Sequence, residues 1–379
     1  MLTRLYVDNF KAFVNFELSA KSLNLLLGAN GTGKSSTFEI LQLLPKFIQG
    51  EPISNLFPVH TLTRWQGLNV QRFEIDLQGN GGQYCYRLEI EHQLREQRCH
   101  VKHETLLFEG QALYRFLEGE IQLYHDDFAP SSRFDFDWNR SGLTTVLPRH
   151  DNTRLTWFKQ RMNQIVVLRL NPFTIQSRSE IEVTQPLADF SNFVSWYRHL
   201  LQEQPAMYMT LQQALREAID GFDTLTLVND GEHARVLKVK FTSQAEDIFR
   251  TGEKLEFRFD ELSEGQQVLI ILYTLLNCSC ENELTLCIDE PENFLALPEI
   301  QPWLLQMADK TSVETCQVFL ISHHPEFINY LAASKGYWFE RVSGRTIRVH
   351  PIHADDETMP GLPISELIAR GWINYAPFI

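Results

Sequence analysis

Apolar residues in this chain follow three patterns in turn: short alternating runs, then helical stripes, then continuous runs that end in polar turns. Leu5 to Phe10 and Val14 to Leu18 predict a strand pair, and Leu23 to Leu27, apolar without alternation, predicts a buried strand running into Gly28 and a glycine-rich turn. From Arg72 to about Asp127 the alternation breaks at Asn80-Gly81-Gly82, Glu109-Gly110 and Glu118-Gly119, as in an antiparallel meander. Leu187, Phe190, Phe193, Val194, Tyr197, Leu200 and Leu201 recur at helical spacing, and Met207, Leu211, Ala214, Leu215 and Ile219 do so before Gly221 ends a second helix. Segments 224 to 229 and 234 to 242 predict a hairpin around Asp230-Gly231. Strand and helix then alternate from Leu255 to about Leu331, as in an α/β domain, followed by a hairpin around Ser343-Gly344 and a terminal helix. No sustained heptads occur, so a compact head without a coiled arm is expected.

Composition narrows the setting. With 379 residues, 44% of them apolar, the chain can bury one large core or two lobes. A formal charge of −14 gives no general attraction to a polyanion, although a local basic face stays open. The six cysteines, Cys85, Cys99, Cys278, Cys280, Cys287 and Cys316, form no CxxC pair and read as reduced thiols, not a zinc site or disulfide framework. The N-terminus carries no signal-peptide pattern, and the longest strongly apolar run, Val268 to Leu276, is too short to span a bilayer, so a soluble cytoplasmic protein is expected.

The chemistry lies in three polar turns. Gly28-Ala-Asn-Gly-Thr-Gly-Lys34-Ser35 matches G-x-x-x-x-G-K-[ST] between a predicted strand and a predicted helix, where backbone N–H groups and a helix N-terminus bind phosphate. The candidate nucleotide contacts are Gly28, Asn30, Gly31, Thr32, Gly33, Lys34, Ser35 and Ser36, with Lys34 reaching the β- and γ-phosphates and Ser35 offering its hydroxyl to Mg²⁺. The run Leu284 to Ile288 ends in Asp289-Glu290; the phosphoryl-transfer template gives Asp289 the Mg²⁺ shell and Glu290 the attacking water. A third run, Gln317 to Ser322, closes with His323-His324-Pro325, and an imidazole there can serve packing or contact a γ-phosphate.

Leu262-Ser263-Glu264-Gly265-Gln266-Gln267, placed before an apolar helix and ahead of Asp289-Glu290, resembles the signature motif of ABC ATPases. Asn9-Phe10-Lys11-Ala12-Phe13, Asp289-Glu-Pro-Glu-Asn293 and Ile321-Ser-His-His-Pro325 place the resemblance, from Leu2 to about Phe327, in the soluble RecF/SMC/OLD-like group. It implies an α/β fold: an ABC-ATPase head with a P-loop α/β core, an antiparallel β lobe and a helical insertion. The head would fill 1–379, with an N-terminal lobe over 1–170, a helical signature lobe over 171–283 and the rest of the core over 284–379. The resemblance further implies that Ser263 and Gly265 of one copy cap the ATP of another, that His323 is the switch histidine and that Lys11 approaches the nucleotide. A helix N-terminus at Ser263 and Gly265 suits a γ-phosphate, whereas a lysine in an exposed turn is ordinarily only solvated. Asn171 and Gln176 stand as candidates for the glutamine-loop role. After Asn293 the chain reads Phe-Leu-Ala-Leu-Pro298 where the OLD-like loop carries Gly-Leu-His-Pro.

The expected activity is hydrolysis of ATP to ADP and phosphate, with ATP and Mg²⁺ as cofactors, by a head-to-tail homodimer that closes on nucleotide. The stretch after Pro325 is expected to be too short for the TOPRIM nuclease of OLD-like proteins, and the dimer is expected to control a separately encoded effector, a nuclease or toxin, in anti-phage defence. A RecF-like DNA-binding repair ATPase is the alternative, which keeps nucleic acid open as a partner, and a transporter nucleotide-binding subunit fits least. No membrane partner is expected.

Overall fold

The computed structural model describes residues 1–242, 254–279, 283–312, 316–352 and 362–372. Cys280 lies outside the described residues; the five described cysteines are free thiols. The chain divides into two compact units, one of residues 1–167, 317–321 and 328–379, the other of residues 168–316 and 322–327.

In the first unit an eight-stranded sheet runs in the order Phe16–Ser19, Leu2–Asp8, Val70–Gly79, Gly82–Gln93, Arg98–Phe108, Gln111–Leu117, Glu120–Tyr124 and Pro130–Asp135. Pairing is antiparallel throughout. Alternation sets one face inward: Tyr84, Tyr86, Leu88 and Ile90 are fully buried while Arg87 between them is exposed. The meander therefore forms as its pattern predicts, with one addition. A turn with Gln97 at φ 54° separates Gln93 from Arg98, at a place without a glycine to mark it.

The unit's second group of strands holds Leu23–Gly28 between Gln317–Ile321 and Gly336–Val342, parallel to both, and Thr346–Pro351 pairs antiparallel with the last. Every residue of Leu23–Gly28 and of Gln317–Ile321 is buried, which is why both segments read as unbroken apolar runs. The Gln317 side chain joins the two groups: its Oε1 accepts the Leu2 N–H at 2.9 Å and its Nε2 donates to the Leu2 carbonyl at 2.7 Å.

The predicted first strand pair is shifted. Strands occupy Leu2–Asp8 and Phe16–Ser19, because Asn9, Lys11 and Asn15 have φ of 61°, 51° and 47° and build the connecting loop from left-handed residues.

In the second unit Ala234–Thr242 is the central strand, antiparallel to Phe222–Asp230, Arg178–Ser179 and Lys254–Arg258. Helices Phe193–Glu203, Pro205–Ala218, Glu264–Ser279 and Leu297–Ser312 and the strand Thr285–Asp289 complete it. The helix predicted from Leu187 begins only at Phe193, since Phe190 at φ 61° closes a turn with Leu187 before the helix starts. From Val268 to Leu276 the helix Glu264–Ser279 is apolar around its circumference and almost wholly buried, so it is a core helix rather than a surface one.

Candidate functional site

In the first unit the strand Leu23–Gly28 delivers the chain into a loop that opens the helix Lys34–Ile48. Two glycines there are required by geometry. Gly28 has φ 143°, and a Cβ on it would collide with the Phe339 carbonyl; Gly33 has φ 96°, and its Cβ would lie 2.6 Å from Ile347 Cδ1 and 2.9 Å from Phe13 Cε1. The loop is thus pressed on by the strands behind it. Asn30, Gly31 and Ser35 face solvent, Ser36 is half-buried and Thr32 is buried, its Oγ1 donating to the Ala29 carbonyl at 2.8 Å. Lys34 is 6% exposed, and its Nζ donates to the carbonyls of Gly28 at 2.6 Å and Ala29 at 3.1 Å. Helix N-terminal amides, an ammonium and the exposed Ser35 hydroxyl make a donor set suited to a polyphosphate with its magnesium ion.

Lys11 belongs to this unit and pairs with Glu39, one turn into the same helix. Its loop is held from beneath. The Lys11 N–H donates to the Thr61 carbonyl at 2.6 Å, and the buried Asn9 donates from Nδ2 to the carbonyls of Leu68 and Val70 at 3.1 and 2.8 Å. Gln71 Nε2 donates to the Asn9 carbonyl at 3.0 Å, and Gln71 Oε1 lies 2.9 Å from His92 Nε2. Burial, helped by the neighbouring His100, lowers the His92 imidazole to about 4. A polar chain from the His92 ring through the Gln71 side chain to the Asn9 carbonyl thus ends under the loop that carries Lys11.

In the second unit the signature residues open the helix Glu264–Ser279. Ser263 and Gln266 cap each other: the Gln266 N–H donates to Ser263 Oγ and the Ser263 N–H to Gln266 Oε1, both at 3.3 Å. Gly265 lies against the loop after the acidic turn, where a Cβ would come 2.7 Å from the Phe294 carbonyl oxygen. Asp289 ends the strand Thr285–Asp289, and Glu290, next in line, takes φ 50°. Asn293 Nδ2 donates to Glu290 Oε2 at 2.9 Å.

Glu292, to which the sequence reading assigned no role, receives the Ser322 hydroxyl on Oε1 at 2.6 Å. Burial pushes this carboxyl above its usual range, and the Ser322 hydroxyl and the backbone N–H groups of Glu292 and His323 draw it part of the way back. The His323 ring faces solvent. Asn171 is half-buried and opens the turn Pro172–Thr174, while Gln176 is exposed. Among the described residues no three His, Cys, Asp or Glu side chains cluster as a metal cage would, and no helix is long and apolar enough to cross a membrane.

A strand-loop-helix phosphate motif, a capped signature turn before a buried helix and a strand-terminal Asp-Glu pair are carried here on the α/β fold of an ABC-ATPase head. The chain belongs to the family described as "AAA domain, putative AbiEii toxin, Type IV TA system", whose profile matches residues 23–329. Among solved structures, an Smc head bound to the C-winged helix domain of ScpA is 14% identical at a TM-score of 0.57, covering 94% of this chain and 98% of its own. The Pyrococcus furiosus Smc head, with an extended coiled coil and the C-terminal domain of ScpA, is 11% identical at a TM-score of 0.53, covering 92% and 95%. At these identities the likeness is one of fold. No curated protein matches the chain.

Proposed function

We propose that the protein binds Mg-ATP and hydrolyses it to ADP and phosphate, and that two copies close head-to-tail so that the signature turn of each caps the nucleotide on the phosphate loop of the other. The observation that carries this reading is the pair of helix N-termini: one at Lys34, beneath a glycine loop with an ammonium and a hydroxyl, and one at Ser263–Gln266, whose outer N–H groups and dipole suit a γ-phosphate.

The roles follow from chemistry. Lys34 binds the β- and γ-phosphates, Gly28, Asn30, Gly31, Thr32, Gly33 and Ser36 shape and line the loop, and Lys11 adds charge beside it. Ser35 and Asp289 would hold the Mg²⁺, which when bound screens negative charge on the phosphates. Glu290 orients and deprotonates the attacking water, and His323 contacts the γ-phosphate as charge moves.

Closing and opening would drive a separate effector, a nuclease or toxin, in defence against phage. The family's description, "AAA domain, putative AbiEii toxin, Type IV TA system", supports a toxin–antitoxin setting. The Smc heads solved with domains of ScpA offer a precedent for a head of this fold engaging a second protein.

The test is light scattering with Mg-ATP. Glu290→Gln is expected to accumulate as a dimer, and Ser263→Arg to bind nucleotide yet stay monomeric. A monomeric Glu290→Gln protein, or normal turnover by the Ser263 variant, would remove the head-to-tail arrangement.

A further inference from the structure

Within the second unit, Glu290 and Glu292 share one four-residue turn, closed by the Asn293 N–H on the Glu290 carbonyl at 3.3 Å. The two carboxylates have different surroundings. Glu290 is held by Asn293, whereas Glu292 reaches Ser322, at the head of the turn that carries His323.

There it fixes the backbone beside His323. Ser322, fully buried, donates to Glu292 Oε1 while accepting the His324 N–H on the same hydroxyl at 3.1 Å. The peptide after His323 is thus tied to Glu292 through Ser322, while His323 itself is exposed. His324 turns away: its Nδ1 accepts the Glu326 N–H at 3.2 Å, at the start of the next helix.

The arrangement is costly for a simple brace. Glu292 Oε2 is shielded from solvent and has no hydrogen-bond partner, and an unsatisfied buried carboxylate oxygen works against stability. Such a cost persists where the group does something else.

We propose that Glu292 is a positioning residue, whose carboxylate ties the His323 turn to the turn bearing Glu290 so that the imidazole and the catalytic carboxylate are presented to the γ-phosphate as one unit. This rests on the ATPase reading above, in which His323 and Glu290 act on the same reaction. Residues 290 to 293 then serve both groups, Asn293 for the first and Glu292 for the second.

The experiment uses the full chain with Glu292→Ala, Ser322→Ala, His323→Ala and the Glu292→Ala/His323→Ala double variant. It reads kcat, affinity for a fluorescent ATP analogue and amide hydrogen exchange at His324. Glu292→Ala and His323→Ala should each lower kcat about tenfold with affinity within about threefold of wild type, and the double variant should be no slower than His323→Ala beyond about twofold. Exchange at the His324 amide should accelerate in Ser322→Ala, which removes its acceptor, and also in Glu292→Ala, which releases that acceptor; Ser322→Ala is the milder change should the first variant fail to fold.

A double variant whose loss is the product of the two single losses overturns the proposal. So does wild-type kcat in folded Glu292→Ala, or unchanged exchange at His324. If His323→Ala turns over normally in a chain that hydrolyses ATP, the coupling falls while the ATPase reading stands; if the wild-type chain hydrolyses no ATP, both fall.

Discussion

The phosphate loop and the acidic turn are built in opposite ways. Gly28 to Ser36 is shaped by backbone: positive φ at three glycines, and neighbouring strands and rings so close that no side chain fits at Gly28 or Gly33. Asp289 to Asn293 is shaped by side chains: Asn293 on Glu290, Ser322 on Glu292. A backbone-built site binds any ligand of the right charge through groups that mutation cannot remove, but it cannot change without loss of fold. A side-chain-built site can lose chemistry and keep its fold. Binding and turnover should therefore be separable in this protein.

The largest expected effect breaks the first half of that contrast. Gly28→Ala adds a side chain at φ 143° against the Phe339 carbonyl, so it should cost about 3 kcal/mol in thermal or denaturant unfolding and take nucleotide binding with it. Glu290→Gln should do the reverse, lowering turnover by about 10²- to 10⁴-fold while melting temperature and nucleotide affinity hold. If the two variants lose binding and stability alike, the distinction is wrong.

Gly265→Ala sharpens the contrast, since a signature residue there meets backbone, the Phe294 carbonyl at 2.7 Å. It should lose about 1–2 kcal/mol of stability and also turnover, placing the signature turn with the phosphate loop rather than with the acidic turn.

The smallest effect concerns the support beneath Lys11. The His92 imidazole, about 4 in the folded protein, takes up a proton more readily when unfolded, near the ordinary histidine value. Its contribution to stability is therefore full above about pH 6.5 and declines as pH falls toward about 4. Unfolding midpoints measured from pH 7 to pH 5 should drop less steeply in His92→Gln than in wild type.

What could be read from the sequence follows the same division. The strand Leu23–Gly28, the meander and the hairpin around Asp230-Gly231 were legible because burial and turn chemistry leave a pattern every few residues. The left-handed loop at Asn9, Lys11 and Asn15 was not, because no glycine marks it. Glu292 was visible only as a letter inside Asp-Glu-Pro-Glu-Asn; its partner Ser322 lies thirty positions away, and no local spacing encodes a hydrogen bond made by the fold. The reciprocal cap of Ser263 and Gln266 lay within reach of an S-x-x-Q reading, since both halves sit in one turn.

The strand that feeds the phosphate loop is flanked on both sides by segments encoded some three hundred residues later, 317–321 and 336–342. During synthesis, then, the glycine-lysine motif leaves the ribosome long before its own strand gains either neighbour. A ribosome-bound fragment stopped before Gln317 would carry the complete glycine-lysine motif and no competent nucleotide site. In such a fragment the motif would hang from an unpaired strand, without the neighbours that shape its loop.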